Sequence, residues 1–577
     1  MDTNVLYYGD NLVWLRDHKY FPDELVDLIY LDPPFNSNAD YNVIFREPGG
    51  EQSQAQLQAF DDTWRWDCEA SAIALDELSI RSPQIGQFIS WLGNQRDRKS
   101  KSMAAYLGMM AIRLLEMHRV LKPAGSIYLH CDSTASHYLK VLMDAIFGAS
   151  NFRNEIIWRR TGAHGAHRSF GPIHDTLLFY TKTNKYYFKI LRRPYMKGHV
   201  ERRYTQEKNG RLKFTSGGNV LTGAGASRGE SGGTWRGFNP TAKNRHWAIP
   251  SFLSEQMSPE FQSLGILDKL EVLYRAGLIE IVEGNAWPTP VRFLGPDSGQ
   301  PIQDIWAYQP YTENTVYNTS EGIDINVKWL GTTDPERTGY QTQKPLGLLE
   351  RIIQSSSKKG DVVLDPFCGC GTAVIASQKL GRKWIGIDIT HLAVWLIEQR
   401  LKDSFGESIK DAYEIHGSPK DIASAQALWN KNKKEFELWA LKLVDARPRA
   451  RDGGVDGLLG FVDEGNKVQT IVVQVKGGES LTPSMIRDLI GTVEKEKAAM
   501  GLFVTLHEPQ PGTDMISLAI HAGNYKSVLW HKSYPRIQIR TIRELLIDGK
   551  EFDLPPRISL LKKAATIRER PQTKPIL

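Results

Sequence analysis

The stretch Val26–Asn38, VDLIYLDPPFNSN, joins an apolar strand pattern to an acid, two prolines and an aromatic ring. Its first residues have the β-branched and aromatic character of a buried strand. Proline lacks the backbone donor that a strand interior needs, so Pro33 and Pro34 place Asp32 at the carboxyl end of the strand. Ligands of open α/β sheets bind at that edge. The carboxylate of Asp32 is therefore a candidate functional group, and a solvated acid in a Pro-rich turn is the alternative.

A second strand, turn and helix pattern lies in DVVLDPFCGCGTA, Asp361–Ala373. Gly369 and Gly371 allow a sharp turn and a close approach of backbone to a ligand, and helix amides beginning near Thr372 offer donors to an anion. The third glycine of a dinucleotide fingerprint and the lysine of a P-loop are both absent. The following strand ends at Asp388, where an acid can accept hydrogen bonds from two ribose hydroxyls. The alternative for this turn is a tight connection without a ligand.

Taken together, Asp32–Phe35 and Asp365–Gly371 resemble the motif pair of the adenine-N6 and cytosine-N4 DNA methyltransferases. The first motif precedes the second by more than three hundred residues. That permuted order resembles the β class of the family, which includes the modification subunits of type III restriction systems. The resemblance spans about residues 5–401 and includes Gly9-Asp10 and Gln343–Ile353.

The resemblance implies a Rossmann-like α/β methyltransferase fold with a mostly parallel, seven-stranded sheet, and it implies a catalytic motif at Asp32–Phe35. An exocyclic amine of a nucleobase is a poor nucleophile because its lone pair is delocalised into the ring. The Asp32 carboxylate and the Pro33 carbonyl would accept hydrogen bonds from this amine and orient its lone pair towards the methyl group of S-adenosylmethionine. Pro34 would stiffen the turn, and Phe35 would stack on a base flipped out of the duplex.

The resemblance also implies a set of cofactor-binding residues. The turn at 367–371 would wrap the methionine part of the cofactor, Asp388 would bind its ribose, and Asp10 would lie near its adenine. Residues 343–345 would open a helix over the methionine end. The predicted set is Asp10, Gln343, Lys344, Pro345, Asp365, Pro366, Phe367, Cys368, Gly369, Gly371, Thr372 and Asp388. Asp-Pro-Pro-Phe rather than Ser-Pro-Pro-Tyr favours adenine N6 over cytosine N4. Methylation of RNA is a less favoured alternative, and methylation of protein glutamine is disfavoured because that family has Asn in place of Asp32.

The segment Ala450–Gly478 has an acid after Gly-Gly, a β-hairpin and a strand that ends in Gln-x-Lys. It is similar to the PD-(D/E)xK nuclease core, in the Mrr-like branch where Gln replaces the second acid. Asp456 would bind Mg²⁺, Gln474 would add its amide oxygen, Lys476 would stabilise charge on the phosphate, and Glu437 would supply a further carboxylate. Because the neutral Gln474 weakens metal binding, nuclease activity is less firmly predicted than the fold. The alternative is a small α/β domain whose lysine binds phosphate.

Strand and helix patterns alternate on both sides of an irregular insert, which predicts a parallel sheet covered by helices. The predicted divisions are the catalytic part at 1–189, a target-recognition insert at 190–337, the cofactor part at 338–405, a helical linker at 406–434, the nuclease-like domain at 435–560 and a basic tail at 561–577. In the insert, Arg-rich stretches such as Gly210–Phe214, Ser227–Pro240 and Lys243–Trp247 are candidates for DNA contacts, or else solvated loops.

Composition agrees with these assignments without deciding them. The 577 residues carry a formal net charge of +6, which is compatible with a nucleic-acid partner. Four cysteines, no apolar run of about 20 residues and no signal-peptide pattern predict a cytoplasmic protein outside the membrane. A methyltransferase beside a nuclease-like domain predicts a role in restriction–modification or phage defence on double-stranded DNA, as a homodimer or as a subunit of such a system.

Overall fold

The computed structural model describes residues 4–34, 66, 69–162, 168–207, 210–215, 220–254, 257–295, 298–340, 342–449, 454–510 and 512–558. Phe35 of the predicted catalytic motif and the predicted basic tail lie outside these residues. The chain divides into two compact units. The first holds the described residues of 1–189, 303–308 and 326–558, and the second holds those of 190–302 and 309–325.

A nine-stranded sheet lies in the first unit. Its strands are β1 (Asn4–Tyr8), β2 (Val26–Leu31), β3 (Leu121–Cys131), β4 (Phe152–Arg159), β5 (His174–Thr181), β6 (Ile305–Trp306), β7 (Val362–Asp365), β8 (Lys383–Asp388) and β9 (Tyr413–His416). Their order is β6-β4-β5-β3-β2-β7-β8-β1-β9. Neighbours run parallel except the two pairs that involve β5. The sheet exceeds the predicted seven strands because the short strands β6 and β9 extend its edges.

Helices cover both faces of this sheet. They are α1 (Asn11–Arg16), α2 (Glu69–Arg81), α3 (Pro83–Gly93), α4 (Arg98–Val120), α5 (Ser136–Phe147), α6 (Leu346–Ser356), α7 (Thr372–Lys379) and α8 (His391–Phe405). Alternate residues of one strand face opposite sides of a sheet. Accordingly, Val5 and Tyr7 of β1 belong to the core formed with α2 to α5, whereas Leu6 belongs to the core formed with α7 and α8.

The C-terminal domain follows in the same unit. Its elements are α9 (Ile422–Lys431), α10 (Lys433–Leu443), β10 (Arg447–Pro448), β11 (Gly457–Asp463), β12 (Lys467–Lys476), α11 (Pro483–Lys495), β13 (Met500–Thr505), α12 (Met515–His521), β14 (Asn524–Ser527), β15 (Lys532–Pro535), β16 (Ile537–Thr541), α13 (Ile542–Leu546) and β17 (Arg557–Ile558). The sheet order is β10-β11-β12-β13-β16, with β17 beside β11. The antiparallel hairpin β11–β12 and the parallel strands β13 and β16 give the predicted small α/β domain.

The second unit has its own core. Four short strands form an antiparallel sheet in the order Ile279–Glu280, Thr289–Phe293, Leu212–Thr215 and Thr205–Gln206. Two-stranded sheets pair Thr222–Ala224 with Arg245–Trp247 and Arg192–Arg193 with Gln300–Pro301. Its helices are Lys197–Arg203, Ser251–Ser254, Pro259–Ser263 and Ile266–Arg275. The buried core is Leu221, Trp235, Trp247, Leu253, Phe261, Leu270, Leu273, Ile279 and Trp287.

Two predicted boundaries differ from those of the structure. The predicted insert extends to residue 337, but Gln303–Tyr308 belongs to the first unit, where Ile305–Trp306 pairs with β4, and so do the described residues from Asn326 onward. The segment 406–434 was predicted as a helical linker, but Tyr413–His416 pairs in parallel with β1 as an edge strand of the large sheet. Short strands of two to four residues carry too little periodicity to be recognised from sequence.

Within the described residues, we find no helix whose length and apolar character would allow it to cross a membrane.

Candidate functional site

Two acidic residues lie at the carboxyl ends of neighbouring parallel strands, at the same edge of the large sheet. Strands β2 and β7 pair with Ile29 opposite Leu364, so Asp32 and Asp365 both lie at their carboxyl ends. Asp32 is partly accessible, whereas Asp365 is buried. Burial raises the pKa of the Asp365 carboxyl well above its usual value, and the nearby charges of Asp32 and Asp388 raise it further. The predicted catalytic and cofactor motifs therefore lie at one edge.

A lysine from a distant part of the sequence contacts the Asp32 carboxylate. The ammonium of Lys344, two residues before α6, donates to Oδ2 of Asp32. The side chains are only 11% and 16% exposed, so solvent screens this ion pair less than a surface pair. The family resemblance places Lys344 near the methionine end of a cofactor, and nothing in the local sequence indicates its contact with Asp32.

The Gly-rich turn has backbone conformations that favour glycine. Gly369 has a φ of 49° and Gly371 a φ of 75°. A Cβ atom at Gly371 would lie 2.6 Å from Cγ1 of Ile397, which is fully buried. The Gly371 amide donates to the Cys368 carbonyl (2.7 Å), and α7 begins at the next residue. Position 371 therefore requires glycine, both for the positive φ and for the space beside Ile397.

Asp388, at the end of β8, holds the adjoining backbone. Its Oδ2 accepts from the Gly369 amide (2.9 Å), and its Oδ1 accepts from the amide (3.0 Å) and hydroxyl (2.9 Å) of Thr390. Burial raises the pKa of Asp388 to about 6. A carboxylate has about four acceptor positions, so Asp388 has capacity left for a ligand hydroxyl.

Asp10 lies beside a polar chain that links α4 to the Gly-rich turn. Its Oδ1 accepts from the Leu12 amide (2.9 Å) and from Nη2 of Arg113 (2.8 Å). Nε of Arg113 donates to Oδ1 of Asn11 (2.7 Å), and the Asn11 amide group donates to the Pro366 carbonyl (2.7 Å). Sequence analysis missed Arg113, although an arginine among the apolar residues of α4 is itself unusual.

Three other predicted cofactor residues have roles inside the fold. The Gln343 amide accepts from the Thr338 backbone and donates to the Glu336 carbonyl, which closes the loop before α6. The Cys368 side chain packs in the apolar core beside α7 and α8, so its backbone, not its thiol, shapes the turn. The Thr372 hydroxyl donates to the Lys344 carbonyl (3.3 Å).

Arg400 of α8 is a further residue that sequence analysis missed. Its Nη1 donates to the Cys370 carbonyl (2.6 Å) and to the Thr372 hydroxyl (3.2 Å), and the side chain is buried. Arg400 therefore fixes the Gly-rich turn from the helix side.

These residues fit S-adenosylmethionine as a ligand. The carboxyl groups of Asp365 and Asp388 lie beside the turn, and their oxygens can accept hydrogen bonds from an ammonium group and from ribose hydroxyls.

The comparison with known protein families agrees with this arrangement. A family model described as DNA methylase, that of the N6 and N4 methylases, matches residues 26–399. The chain belongs to this DNA methylase family. A second family model, described as NACHT-associated inactive Restriction Endonuclease 1, matches residues 434–546. The predicted family and the restriction-endonuclease-like C-terminal domain are confirmed.

Similar proteins include DNA-modification enzymes of bacteria and a phage. The type II methyltransferase M.EcaI of Enterobacter cloacae is 31% identical over 52% of this chain and 57% of its own. The Mod subunit of the type III restriction-modification enzyme StyLTI of Salmonella typhimurium is 26% identical over 66% and 50%. The EcoPI Mod subunit of Escherichia phage P1 is 25% identical over 66% and 55%. The chain thus spans about half the length of these relatives.

The C-terminal domain brings together most of its predicted site residues. The carboxyl of Glu437 on α10 has a pKa raised by burial and by the nearby charge of Asp456, and it forms an ion pair with Lys434. Lys476, at the end of β12, is close enough to interact with Glu437. Asp456 accepts from the Val475 amide (2.7 Å). In the part of the chain that the structure describes, no group of three or more His, Cys, Asp or Glu residues could hold a metal ion.

Gln474 also lies in this region. Its Nε2 donates to the Gly454 carbonyl, so the side chain fastens the loop that precedes Asp456.

The Arg-rich segments of the second unit contribute largely to its own packing. Trp235 and Trp247 are buried in its core. Arg245 donates to the hydroxyl (2.7 Å) and carbonyl (3.0 Å) oxygens of Thr222. Arg236 forms an ion pair with Glu271. Exposed Arg228 and Lys243 remain candidates for phosphate contacts.

Proposed function

We propose that this chain transfers a methyl group from S-adenosylmethionine to an exocyclic amine of a base in double-stranded DNA. One observation carries the proposal: the Asp32 carboxylate and the Gly369–Gly371 turn lie at the same edge, at the ends of adjacent strands β2 and β7. Membership of the DNA methylase family supports the same reaction. When bound, S-adenosylmethionine supplies an electrophilic methyl group on a sulfonium.

The residues of the chain orient the nucleophile. Oδ2 of Asp32 is engaged by Lys344, so Oδ1 is the oxygen that faces an incoming amine. The Pro33 carbonyl offers a second acceptor on the same turn. Two acceptors fix the direction of the amine lone pair, and their interaction with it strengthens as positive charge develops on nitrogen.

Adenine N6 is the target that the motif favours, because Asp-Pro-Pro stands at residues 32–34 where Ser-Pro-Pro is more typical of cytosine N4 enzymes. Cytosine N4 and RNA are the alternatives. The target sequence would be read by the second unit.

We further propose that the protein acts in restriction–modification or phage defence, as a homodimer or with a restriction subunit. The names of the StyLTI and EcoPI relatives as Mod subunits support this context. So does the match of the C-terminal domain to a restriction-endonuclease family.

Methylation-aware sequencing of DNA from cells that express the chain would test the proposal. We expect methylated adenine at one recurrent sequence, and none in cells that express the Asp32→Ala variant at equal level. Radiolabelled transfer into duplex DNA and into RNA separates the two substrates. Methylated cytosine would favour the N4 alternative, and no transfer to duplex DNA would contradict the proposal.

Mg²⁺-dependent cleavage of DNA by the C-terminal domain is the second candidate. The proximity of Glu437, Asp456 and Lys476 favours it. The absence of a three-residue metal group in the described residues, and the description of the matching family as inactive, count against it. Nicking of unmethylated plasmid with Mg²⁺, lost in Lys476→Ala but kept in Lys532→Ala, would establish it. Lys532 is an exposed lysine paired with Asp553 in the same domain and serves as the control.

A further inference from the structure

Helix α10 of the C-terminal domain packs along α8, the helix that follows the candidate ribose-binding strand. Leu438 of α10 lies in one apolar cluster with Leu392, Trp395 and Leu396 of α8. One turn further along α10, Lys442 forms an ion pair with Glu398. The residues of α10 that contact α8 recur at helical spacing, so one face of α10 packs against the methyltransferase part of the chain.

Glu435 begins this face and reaches the amino end of α8. Its Oε2 accepts from the backbone amide of His391 (2.8 Å), the first residue of α8. The first amides of a helix have no partner within the helix, and a carboxylate stabilises them through hydrogen bonding and the helix dipole. Glu435 is 5% exposed, so this hydrogen bond is buried between the C-terminal domain and the methyltransferase part of the chain.

The same carboxyl group faces the candidate cofactor residues. The phenol of Tyr8 is close enough to interact with it, and the charge of Asp388 acts on it as well. The ring of Tyr8 stacks on that of His391 with centroids 3.6 Å apart. Only Ile389 and Thr390 separate Asp388 from His391, and the carboxylate of Asp388 accepts from the Thr390 amide. The short loop that carries Asp388 is thus held by Asp388 itself on one side and by Glu435 on the other.

We propose that Glu435 of the C-terminal domain is a positioning residue for the cofactor site, holding the loop 388–391 so that affinity for S-adenosylmethionine depends on the docked C-terminal domain. This inference rests on the proposed methyltransferase function. It assigns to the restriction-endonuclease-like domain a role in methyl transfer that needs no nuclease chemistry.

The test uses the full-length chain and three substitutions of one residue. Glu435→Gln keeps an oxygen that can accept from the His391 amide. Glu435→Asp keeps the carboxyl group but shortens the side chain by one methylene, and Glu435→Ala removes the carboxyl group. We expect the KM and Kd for S-adenosylmethionine to rise about tenfold in the Ala and Asp variants and to stay within about threefold in the Gln variant. We expect kcat at saturating cofactor and the KM for DNA to change by less than about twofold.

Lys442→Met provides the matched control, because it breaks the ion pair between α10 and α8 but leaves the hydrogen bond between the His391 amide and the Glu435 carboxyl in place. Its cofactor affinity should equal that of the unmutated chain. Equal weakening in Lys442→Met and Glu435→Ala, or unchanged affinity in Glu435→Asp, would overturn the inference. If Glu435→Ala fails to fold, judged by thermal melting, the Asp and Gln variants decide. Failure of the unmutated chain to bind S-adenosylmethionine would instead contradict the proposed function.

Discussion

The Lys344 ammonium and the Asp32 carboxylate form an ion pair at the sheet edge, although 312 positions separate them in the chain. The pair joins the loop before α6 to the end of β2. The lysine engages Oδ2 of Asp32, and in the proposed reaction the other oxygen would accept from the substrate amine.

Replacing this lysine should slow methyl transfer. In Lys344→Met the Asp32 carboxylate loses the partner that fixes its orientation, and a hydrogen bond to a charged group contributes about 1.5–3 kcal/mol. We therefore expect kcat to fall by about tenfold to a hundredfold in a steady-state assay with duplex DNA. Lys379→Met, which breaks an ion pair with Glu350, is the control and should keep full activity. Equal kcat in both variants would show that Lys344 does not orient Asp32.

Neutralising the acid should separate catalysis from cofactor binding. Asp32→Asn preserves size but removes the negative charge that meets the positive charge developing on nitrogen. The loss of one such electrostatic partner costs about 10²–10³ in kcat. We expect calorimetry to give a nearly unchanged Kd for S-adenosylmethionine, because Gly369 and Asp388 are untouched. A large loss of cofactor affinity would place Asp32 in the cofactor site instead of at the substrate.

Much of this site could be predicted because local sequence marks the ends of strands. Pro33 after Asp32, and Pro366 after Asp365, stop a buried strand in a way that few other residues can. Contacts between distant segments have no such signature. Lys344 looks like any polar residue before a helix, and Glu435 like any acid in a first helical turn.

The insert also contains structure that its sequence does not predict. Its glycine- and arginine-rich composition predicted an irregular region, yet Trp235 and Trp247 are buried in an apolar core between short strands. Elements of two to five residues are fixed by tertiary packing, not by local periodicity, and composition alone does not reveal such a core.

The Gly-rich turn should not tolerate a side chain at Gly371. Gly371→Ala would strain a φ of 75° and place Cβ 2.6 Å from the buried Ile397. Gly465→Ala is the matched control, since Gly465 has a φ of 65° and a ψ of 29°, close to those of Gly371, and no atom within 4 Å of the added Cβ. We expect both variants to lose about 1 kcal/mol to backbone strain, and Gly371→Ala alone to lose further stability and most cofactor affinity. Chemical denaturation and calorimetry would measure the two effects, and equal behaviour of the variants would contradict the assigned packing.

The buried carboxyl of Glu435 should make stability depend on pH. Burial, followed by the charge of Asp388, raises its pKa from 4.5 to about 7, so the folded protein binds more protons than the unfolded chain between these values. A raised carboxyl pKa therefore contributes stability that is complete below about pH 4.5 and is lost as the pH rises through about 7. His391 acts in the opposite direction, because burial lowers its pKa and its protonation favours the unfolded chain below about pH 6.5.

His391 contributes equally to the stability of the unmutated chain and of Glu435→Gln, so its contribution cancels when the two proteins are compared. The groups that face Glu435 are Tyr8, the His391 amide, Asp388 and Lys434, and all of them remain in the variant. We expect Glu435→Gln to match the unmutated chain near pH 5 and to exceed its free energy of unfolding by roughly 2–3 kcal/mol near pH 8, since one pKa unit is about 1.4 kcal/mol. Denaturant melts at the two pH values would measure this difference. A difference that stays constant or shrinks between pH 5 and pH 8 would mean that the Glu435 carboxyl does not titrate in the folded protein as its burial requires.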